Sequence, residues 1–215
     1  MKRFLHVGCG PKRKAQTTAA FDTPDWQEVR FDIDAGVAPD IIGTMTDMSA
    51  VATGSIDAVF SSHNIEHLYP HEVPTALAEF LRVLTPGGFA VITCPDLQLV
   101  ARLVADDRLM EPAYMSPAGP IAPIDILYGH RDSMRRGNLY MAHKGGFTAK
   151  SLVGAVRAAG FAGAIGLSRP AQFELWVAAT RQPVEQDDLK RLLAAHLAPR
   201  TATAGTTTGG QRGPA

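Results

Sequence analysis

The chain has 215 residues, of which 46% are hydrophobic and 20% charged, with 21 basic and 21 acidic side chains. This length suits one domain with a substantial core and is too short for two ordinary ones. Balanced charge gives no overall field that attracts nucleic acid, and no apolar run approaches the roughly 20 residues of a membrane span. The apolar run after the basic start is also too short for a signal peptide. We therefore expect a soluble, cytoplasmic protein that binds neither nucleic acid nor membranes.

The first informative segment is an apolar strand at 3–7 that runs into Gly8-Cys9-Gly10. Glycines allow a sharp turn at the carboxyl end of a parallel strand and a close approach to a ligand. A dinucleotide site would need a small residue at position 13, so that a helix packs behind the turn, and Arg13 stands there instead. The turn predicts a cofactor site without a pyrophosphate, and a dehydrogenase is retained only as a rival.

Two acidic positions follow at the spacing that a nucleoside-like ligand requires. A second strand, 28–32, leads into Asp32 and Asp34 about twenty residues after the turn, where a carboxylate can accept hydrogen bonds from ribose hydroxyls. A third strand, 40–43, precedes Asp47, which could accept a bond from an adenine amine.

The remaining elements follow from hydrophobic spacing and cap residues. Further strands are predicted at 56–61, 89–94, 162–168 and 172–180, the last two as a hairpin. Helices are predicted at 71–84, at 97–109, from the N-cap Thr148 to Gly160, and at 184–198. The tail 199–215 has no large apolar residue and is predicted to be disordered. Cys9 and Cys94, two strand spacings or roughly 10 Å apart, are predicted to be free thiols.

The order of these motifs resembles the class I S-adenosylmethionine-dependent methyltransferases of the type 11-like superfamily, from Lys2 to about Thr180. The segments that carry the resemblance are 6–10 (HVGCG), 32–34 (DID), 46–48 (TDM), 56–60 (IDAVF), 65–68 (IEHL) and 79–88 (EFLRVLTPGG). The resemblance implies a Rossmann-like α/β fold, with a seven-stranded, mostly parallel sheet, helices on both faces and a C-terminal antiparallel hairpin. It assigns residues 1–182 to the methyltransferase domain and S-adenosylmethionine as the cofactor.

The resemblance also implies a set of cofactor-binding positions: His6, Gly8, Cys9, Gly10, Asp32, Asp34, Asp47, Met48, Ser62 and His63. In this set the glycines face the methionine part, Asp34 or Asp32 holds the ribose, and Asp47 with Met48 frames the adenine. His6 departs from the family, since many members carry an acidic residue there that helps to hold the cofactor's amine. This departure supports the alternative of a catalytically silent, S-adenosylmethionine-binding scaffold.

The segment after the fourth strand holds the candidates for catalysis. Transfer from a sulfonium needs no acid but often needs a base, and His63 is the first candidate because histidine titrates near neutrality; packing beside the cofactor is the equal alternative. His67 is the second candidate, although Glu66 and His67 more often have a structural role at such a position. The pattern His63-x-x-Glu66-His67, with His71 as an additional ligand, also spells a zinc-peptidase motif. That motif requires one continuous helix, whereas His63 ends a strand. The segment also resembles the Glu-x-x-Glu-His cluster that, with a further His, holds a metal in some small-RNA 3′-end methyltransferases, but His63 replaces the first Glu, so no metal is expected.

A long insertion at 95–146 is predicted to form the substrate side of the domain. Loops of this length are often lids or binding loops, and its Tyr, His, Arg and Asn residues suit a hydroxylated small molecule or sugar. A proline-rich surface connection explains the same residues equally well. After the fourth strand the chain lacks the Asn/Asp-Pro-Pro-Tyr/Phe motif of enzymes that methylate planar nitrogens. We therefore expect O-methylation of a small molecule or glycan.

Overall fold

The computed structural model describes residues 1–116 and 119–199. Its strands are β1 (Lys2–Val7), β2 (Trp26–Asp32), β3 (Ile41–Ile42), β4 (Ile56–Ser62), β5 (Leu84–Pro95), β6 (Tyr114–Ser116), β7 (Gly119–Ile121), β8 (Gly163–Arg169) and β9 (Glu174–Thr180). Its α-helices are α1 (Val73–Val83), α2 (Leu97–Ala105), α3 (Pro123–Tyr128), α4 (Arg131–Arg135), α5 (Ala149–Ala158) and α6 (Gln186–Leu197). The tail prediction falls on residues that lie, except for residue 199, outside the described ranges.

Seven strands form one sheet in the order β3-β2-β1-β4-β5-β9-β8. The five strands from β1 to β5 are parallel, and β9 runs antiparallel between β5 and β8. The predicted mostly parallel sheet with a C-terminal hairpin is therefore confirmed. The chain extends from β1 to β3 on one side and then returns to β4 on the other side. The carboxyl ends of β1 and β4 thus flank the point where an open α/β sheet binds its ligand.

Alternating side chains bury both faces of the sheet, as the twofold period of a strand requires. On one face, Leu5 and Val7 of β1 join the core beneath α1 and α5. On the other face, Phe4 joins a second core that includes Leu193 of α6. Thr148 caps α5 as predicted, because its Oγ1 accepts the N–H of Ser151 at 3.3 Å.

The segment 11–25 covers the second face without an α-helix. It contains only the 3-10 turn Lys14–Gln16 and then places Phe21 against Phe4, with stacked rings 4.3 Å apart. Phe21 is completely buried, and burial of such a side chain stabilises a fold by about 1.5–3 kcal/mol. Aromatic packing thus takes the place of the helix that usually follows a glycine turn.

The insertion 95–146 contains α2, the small β6–β7 hairpin, α3 and α4. A separate apolar cluster of Val100, Ile121 and Ile126 holds these elements together. A bridge between Asp96 and Phe147 closes the base of the insertion. None of the helices in the described ranges has the length and apolar character needed to cross a membrane.

Candidate active site

The turn after β1 has a backbone conformation that favours glycine. The φ angle is +64° at Gly8 and +50° at Gly10, a region that other residues enter only at a cost. The N–H of Gly8 donates to the carbonyl of Phe31 at 2.9 Å. The N–H of Gly10 donates to Oδ2 of Asp32 at 2.8 Å. These bonds fasten the turn to the end of β2.

The two glycines differ in what surrounds them. A Cβ atom on Gly8 would lie 2.2 Å from Nδ2 of Asn64, so the absence of a side chain lets Asn64 pack on the turn. Nδ2 of Asn64 lies 3.2 Å from Sδ of Met45 on its other side. A Cβ atom on Gly10 would meet no atom within 4 Å. Open space therefore adjoins the backbone of Gly10, and the turn can accept a close ligand there.

Arg30 supports the turn from below. It is 2% exposed, and its guanidinium donates to the carbonyls of Gly10, Lys12 and Ala38. One side chain thus joins the turn to the loop after β2. After the turn the chain continues into the 3-10 turn Lys14–Gln16 rather than into an α-helix.

The two carboxylates at the end of β2 differ in availability. Asp32 is buried, and its oxygens accept the N–H groups of Gly10 at 2.8 Å and of Asp34 at 2.9 Å. Asp34 is half-buried, and its Oδ1 accepts the N–H of Gly36 at 2.8 Å. In the described part of the chain, Oδ2 of Asp34 has no hydrogen bond. Asp34 therefore has a carboxylate oxygen available for a ribose hydroxyl.

Asp47 and Met48 lie in very different environments. Asp47 is exposed, and a hydrogen bond from Ser49 holds the pKa of its carboxyl below the ordinary value, so that it is ionised. Met48 is completely buried in the core. Its N–H donates to Oε2 of Glu79 and its carbonyl accepts from Arg82, both at 2.8 Å. Only Asp47 of this pair presents a polar side-chain group to solvent.

His6 and Cys9 are both buried beside the turn. Nδ1 of His6 lies 2.7 Å from Oε1 of Glu28, and Oε2 of Glu28 accepts the N–H of Lys14 at 2.8 Å. His6 thus connects with the segment after the turn through Glu28. Cys9 and Cys94 are buried free thiols, as predicted. Burial is the main cause that raises the pKa of Cys9 to about 11, so this thiol is neutral.

The end of β4 presents Ser62 and His63. Oγ of Ser62 accepts a hydrogen bond from Thr93 at 3.0 Å. His63 has a φ of +51°, and its ring lies between two carboxylates. Nε2 is 2.8 Å from Oε1 of Glu174, and Nδ1 is 3.5 Å from Oε1 of Glu66.

This pairing determines the charge of His63. The side chain of His63 is 42% exposed. Its partial desolvation lowers its pKa, but the carboxylates of Glu174 and Glu66 outweigh that effect and raise the pKa to about 9. His63 therefore carries a proton at neutral pH, and both of its nitrogens face carboxylates. The arrangement favours a positioning role for His63 over that of a free base.

Glu66, His67 and His143 converge beside this pair. One ligand atom from each of the three lies within 4.8 Å of the others, and the two imidazole centroids are 4.9 Å apart. Burial raises the pKa of Glu66, but His63 and the other two histidines outweigh burial and lower it. The carboxylate of Glu66 is therefore ionised although it is only 1% exposed.

Several residues of this site were not predicted from the sequence. Arg30 stands between the buried residues Val29 and Phe31 of β2, and Glu174 begins the mostly apolar strand β9, so the sequence offered a usable signal for each. Asn64 and His143 carry no such signal. His143 comes from the insertion and approaches Glu66 only through the tertiary fold.

The fold and the site together define a class. The strand order reverses between β1 and β4, a glycine turn follows β1, and carboxylates follow β2. This is the architecture of class I S-adenosylmethionine-dependent methyltransferases. Comparison with known proteins agrees, because residues 5–92 match the family model described as a methyltransferase domain. The resemblance identified from the sequence is thus confirmed in the fold and in the match of residues 5–92 to a methyltransferase domain.

Solved structures show the same fold. A Thermotoga maritima protein described as a S-adenosylmethionine-dependent methyltransferase, possible histamine N-methyltransferase, is 14% identical, with a TM-score of 0.55 over 85% of this chain and 83% of that one. A Pyrococcus horikoshii protein is 13% identical, with a TM-score of 0.58 over 85% of this chain and 83% of that one.

A third structure was solved with ligands bound. The 1,6-didemethyltoxoflavin-N1-methyltransferase of Burkholderia thailandensis, with its substrate and S-adenosylhomocysteine, is 17% identical. Its TM-score is 0.52 over 84% of this chain and 71% of that one. No curated protein matches the chain. At these identities the similarities establish the fold and not the methyl acceptor.

Proposed function

We propose that this chain transfers a methyl group from S-adenosylmethionine to an oxygen atom of a small molecule or glycan. The observation that carries the proposal is the open space beside Gly10, in a turn with positive φ angles at the carboxyl edge of the sheet. Oδ2 of Asp34, which has no hydrogen bond within residues 1–116 and 119–199, supports the same cofactor. The methyltransferase domain at residues 5–92 supports it independently.

The residues fit the cofactor part by part. The backbone from Gly8 to Gly10 would border the methionine part, and Asp34 would accept hydrogen bonds from the ribose. Asp47, exposed and ionised, would accept a bond from the adenine amine. Asp32 would act indirectly, because both of its oxygens already hold the backbone of the turn.

Methyl transfer mainly requires the protein to align the acceptor with the methyl group. S-adenosylmethionine supplies, when bound, an electrophilic methyl group whose leaving thioether departs neutral. The residues after β4 and the insertion must therefore hold the acceptor oxygen in line with the methyl group and exclude water. Backbone bonds from Lys144 and Gly145 to the carbonyl of Glu66, at 2.9 and 3.1 Å, hold the insertion against this edge.

The two candidate histidines take different roles in this proposal. His63 is held between Glu66 and Glu174 and positions the wall of the acceptor site. His67 donates Nδ1–H to the carbonyl of Ala142 at 3.0 Å, which leaves the lone pair of Nε2 available to accept a proton. The sequence Ser61-Ser62-His63-Asn64 lacks the motif of planar-nitrogen methylation, which supports an oxygen acceptor.

A transfer assay tests the proposal. The purified chain is incubated with methyl-labelled S-adenosylmethionine and fractionated cell extract, and the labelled product is analysed by mass spectrometry. We expect label on a hydroxyl of a small molecule or glycan, whereas label on nitrogen would contradict the oxygen acceptor. Cofactor binding without transfer to any fraction would favour the silent scaffold. Displacement of the cofactor by NAD(P) would favour the dehydrogenase rival.

A further inference from the structure

The carboxylate of Glu66 lacks the hydrogen bonds that its burial demands. Among the described residues, neither of its oxygens has a hydrogen bond, although the residue is 1% exposed. A buried charge is costly unless it is paired and hydrogen-bonded. His63 lies nearby, but its closer bond goes to Glu174, which also accepts bonds from Arg169 and Trp176. Glu174 thus has three hydrogen-bond partners, whereas among the described residues Glu66 has the 3.5 Å ion pair with His63 and no hydrogen bond.

Two histidines lie beside this carboxylate, and each has one ring nitrogen bonded to a backbone carbonyl. Nδ1 of His67 lies 3.0 Å from the carbonyl of Ala142, and Nδ1 of His143 lies 2.8 Å from the carbonyl of Ile126. A carbonyl can only accept, so Nδ1 must carry the hydrogen in both rings. In a neutral imidazole the lone pair then resides on Nε2. Metal-binding histidines are typically fixed in this way, with the second nitrogen donating to a carbonyl or carboxylate.

The distances and the space suit one ion. In a tetrahedral site with bonds of about 2.1 Å, the ligand atoms stand roughly 3.4 Å apart. The three ligand atoms lie within 4.8 Å of one another, so small side-chain rotations bring them to that spacing. A cavity of about 20 Å³, lined by Glu66, His143, Gly145 and Gly146 among others, adjoins the cluster. This volume accommodates about one water molecule.

We propose that Glu66, His67 and His143 bind a divalent first-row transition metal ion, such as zinc, through one carboxylate oxygen and two Nε2 atoms. Imidazole ligands favour such ions over magnesium or calcium. Three protein ligands leave a coordination position open toward the cavity, as in catalytic zinc sites.

This site differs from the peptidase motif that the sequence spells. His63 is not a ligand, because it is paired with Glu174, and the insertion supplies His143 instead. The proposal replaces the expectation of no metal and does not depend on methyl transfer. Metal binding and proton acceptance by His67 use the same lone pair and therefore exclude each other.

Metal titration tests the proposal on the cofactor-free chain. Protein treated with a chelator and then dialysed is titrated with Zn²⁺ in a calorimeter, and Co²⁺ binding is followed by visible absorption. We expect one zinc ion per chain, with binding at least a hundredfold weaker in Glu66→Gln and His143→Gln. His71→Gln is the matched control, because His71 is an exposed histidine that lies near the cluster in sequence but outside it. An equal concentration of Mg²⁺ should not compete.

The outcomes separate this proposal from the methyltransferase function. Absence of stoichiometric zinc binding, or equal affinity in His143→Gln and His71→Gln, would overturn the site. His143 is only half-buried, so its variant should keep the wild-type circular dichroism even if Glu66→Gln unfolds. Because no S-adenosylmethionine is present, failure of cofactor binding leaves the zinc result unaffected.

Discussion

Replacement of Gly10 by alanine separates a ligand role of the turn from a structural one. Gly10 has a φ of +50°, and an added Cβ atom would meet nothing within 4 Å. The cost to the fold is therefore only that of the left-handed conformation, about 1–2 kcal/mol. Gly8 does not offer this test, because its Cβ atom would collide with Asn64 at 2.2 Å.

Gly54 provides a matched control for Gly10. Its φ is +66°, and the nearest atom to an added Cβ would be the carbonyl oxygen of Leu84 at 4.0 Å. It precedes β4 and thus lies at the amino edge of the sheet, away from the glycine turn. We expect Gly10→Ala and Gly54→Ala to lose similar amounts of unfolding free energy, as measured by urea denaturation.

Cofactor binding should distinguish the two variants. Only Gly10→Ala places a methyl group in the space proposed for the methionine part of the cofactor. We expect its Kd for S-adenosylhomocysteine, measured by calorimetry, to rise at least tenfold, or about 1.4 kcal/mol, whereas Gly54→Ala should bind like the wild type. Affinities of the two variants within about twofold of each other would refute the assignment of the turn to the cofactor.

Three further predictions concern stability and affinity. Burial lowers the pKa of His196 to about 4, below the 6.5 of the unfolded chain, so its contribution is complete above pH 6.5 and is lost as the pH falls toward 4. Linkage gives a loss of about 2 kcal/mol by pH 5, and urea unfolding of His196→Gln should show a pH dependence smaller by that amount. Asp34→Asn keeps the side-chain shape but loses the charge, so its affinity for S-adenosylhomocysteine, measured by calorimetry, should fall about tenfold. Asp25→Asn, at the opposite edge of the sheet, is the control, and an equal loss of affinity in that variant would contradict a ribose role for Asp34. In Arg30→Lys the ammonium group cannot reach the several carbonyls that the guanidinium holds. We therefore expect the free energy of unfolding to fall by roughly 3 kcal/mol and cofactor binding to weaken. A wild-type unfolding free energy together with a wild-type cofactor affinity would show that this network does not support the turn.

The sheet could be predicted because its signals are local. Apolar runs mark β1, β2 and β4, and a glycine turn ends the first while acidic residues end the second. All three strands lie within a few residues of their predicted bounds. The β6–β7 hairpin, α3 and α4 were not predicted, because the insertion has no regular hydrophobic period. The structure of the segment 11–25 could not be predicted either, because Phe21 covers the sheet through tertiary aromatic packing and not as part of a helix.

The candidate site was predictable where its residues are neighbours in sequence. His63, Glu66 and His67 come from one segment, and the sequence identified all three. Their partners Glu174 and His143 come from β9 and the insertion, so no local pattern shows that they meet this segment. The charge of His63 depends on such a partner, and for this reason a histidine expected to titrate near neutrality has a pKa of about 9.

The same dependence on partners changes the meaning of His6. Many family members carry an acidic residue at this position, and its replacement by His6 supported the hypothesis of a catalytically silent scaffold. In the structure His6 is paired with Glu28 at 2.7 Å, and the other oxygen of that carboxylate accepts the N–H of Lys14, just beyond the glycine turn. An acid therefore still stands beside the turn, supplied by the neighbouring strand. Because both oxygens of Glu28 are engaged, this carboxylate supports the turn, as Asp32 does, and is not free to hold the amine of the cofactor.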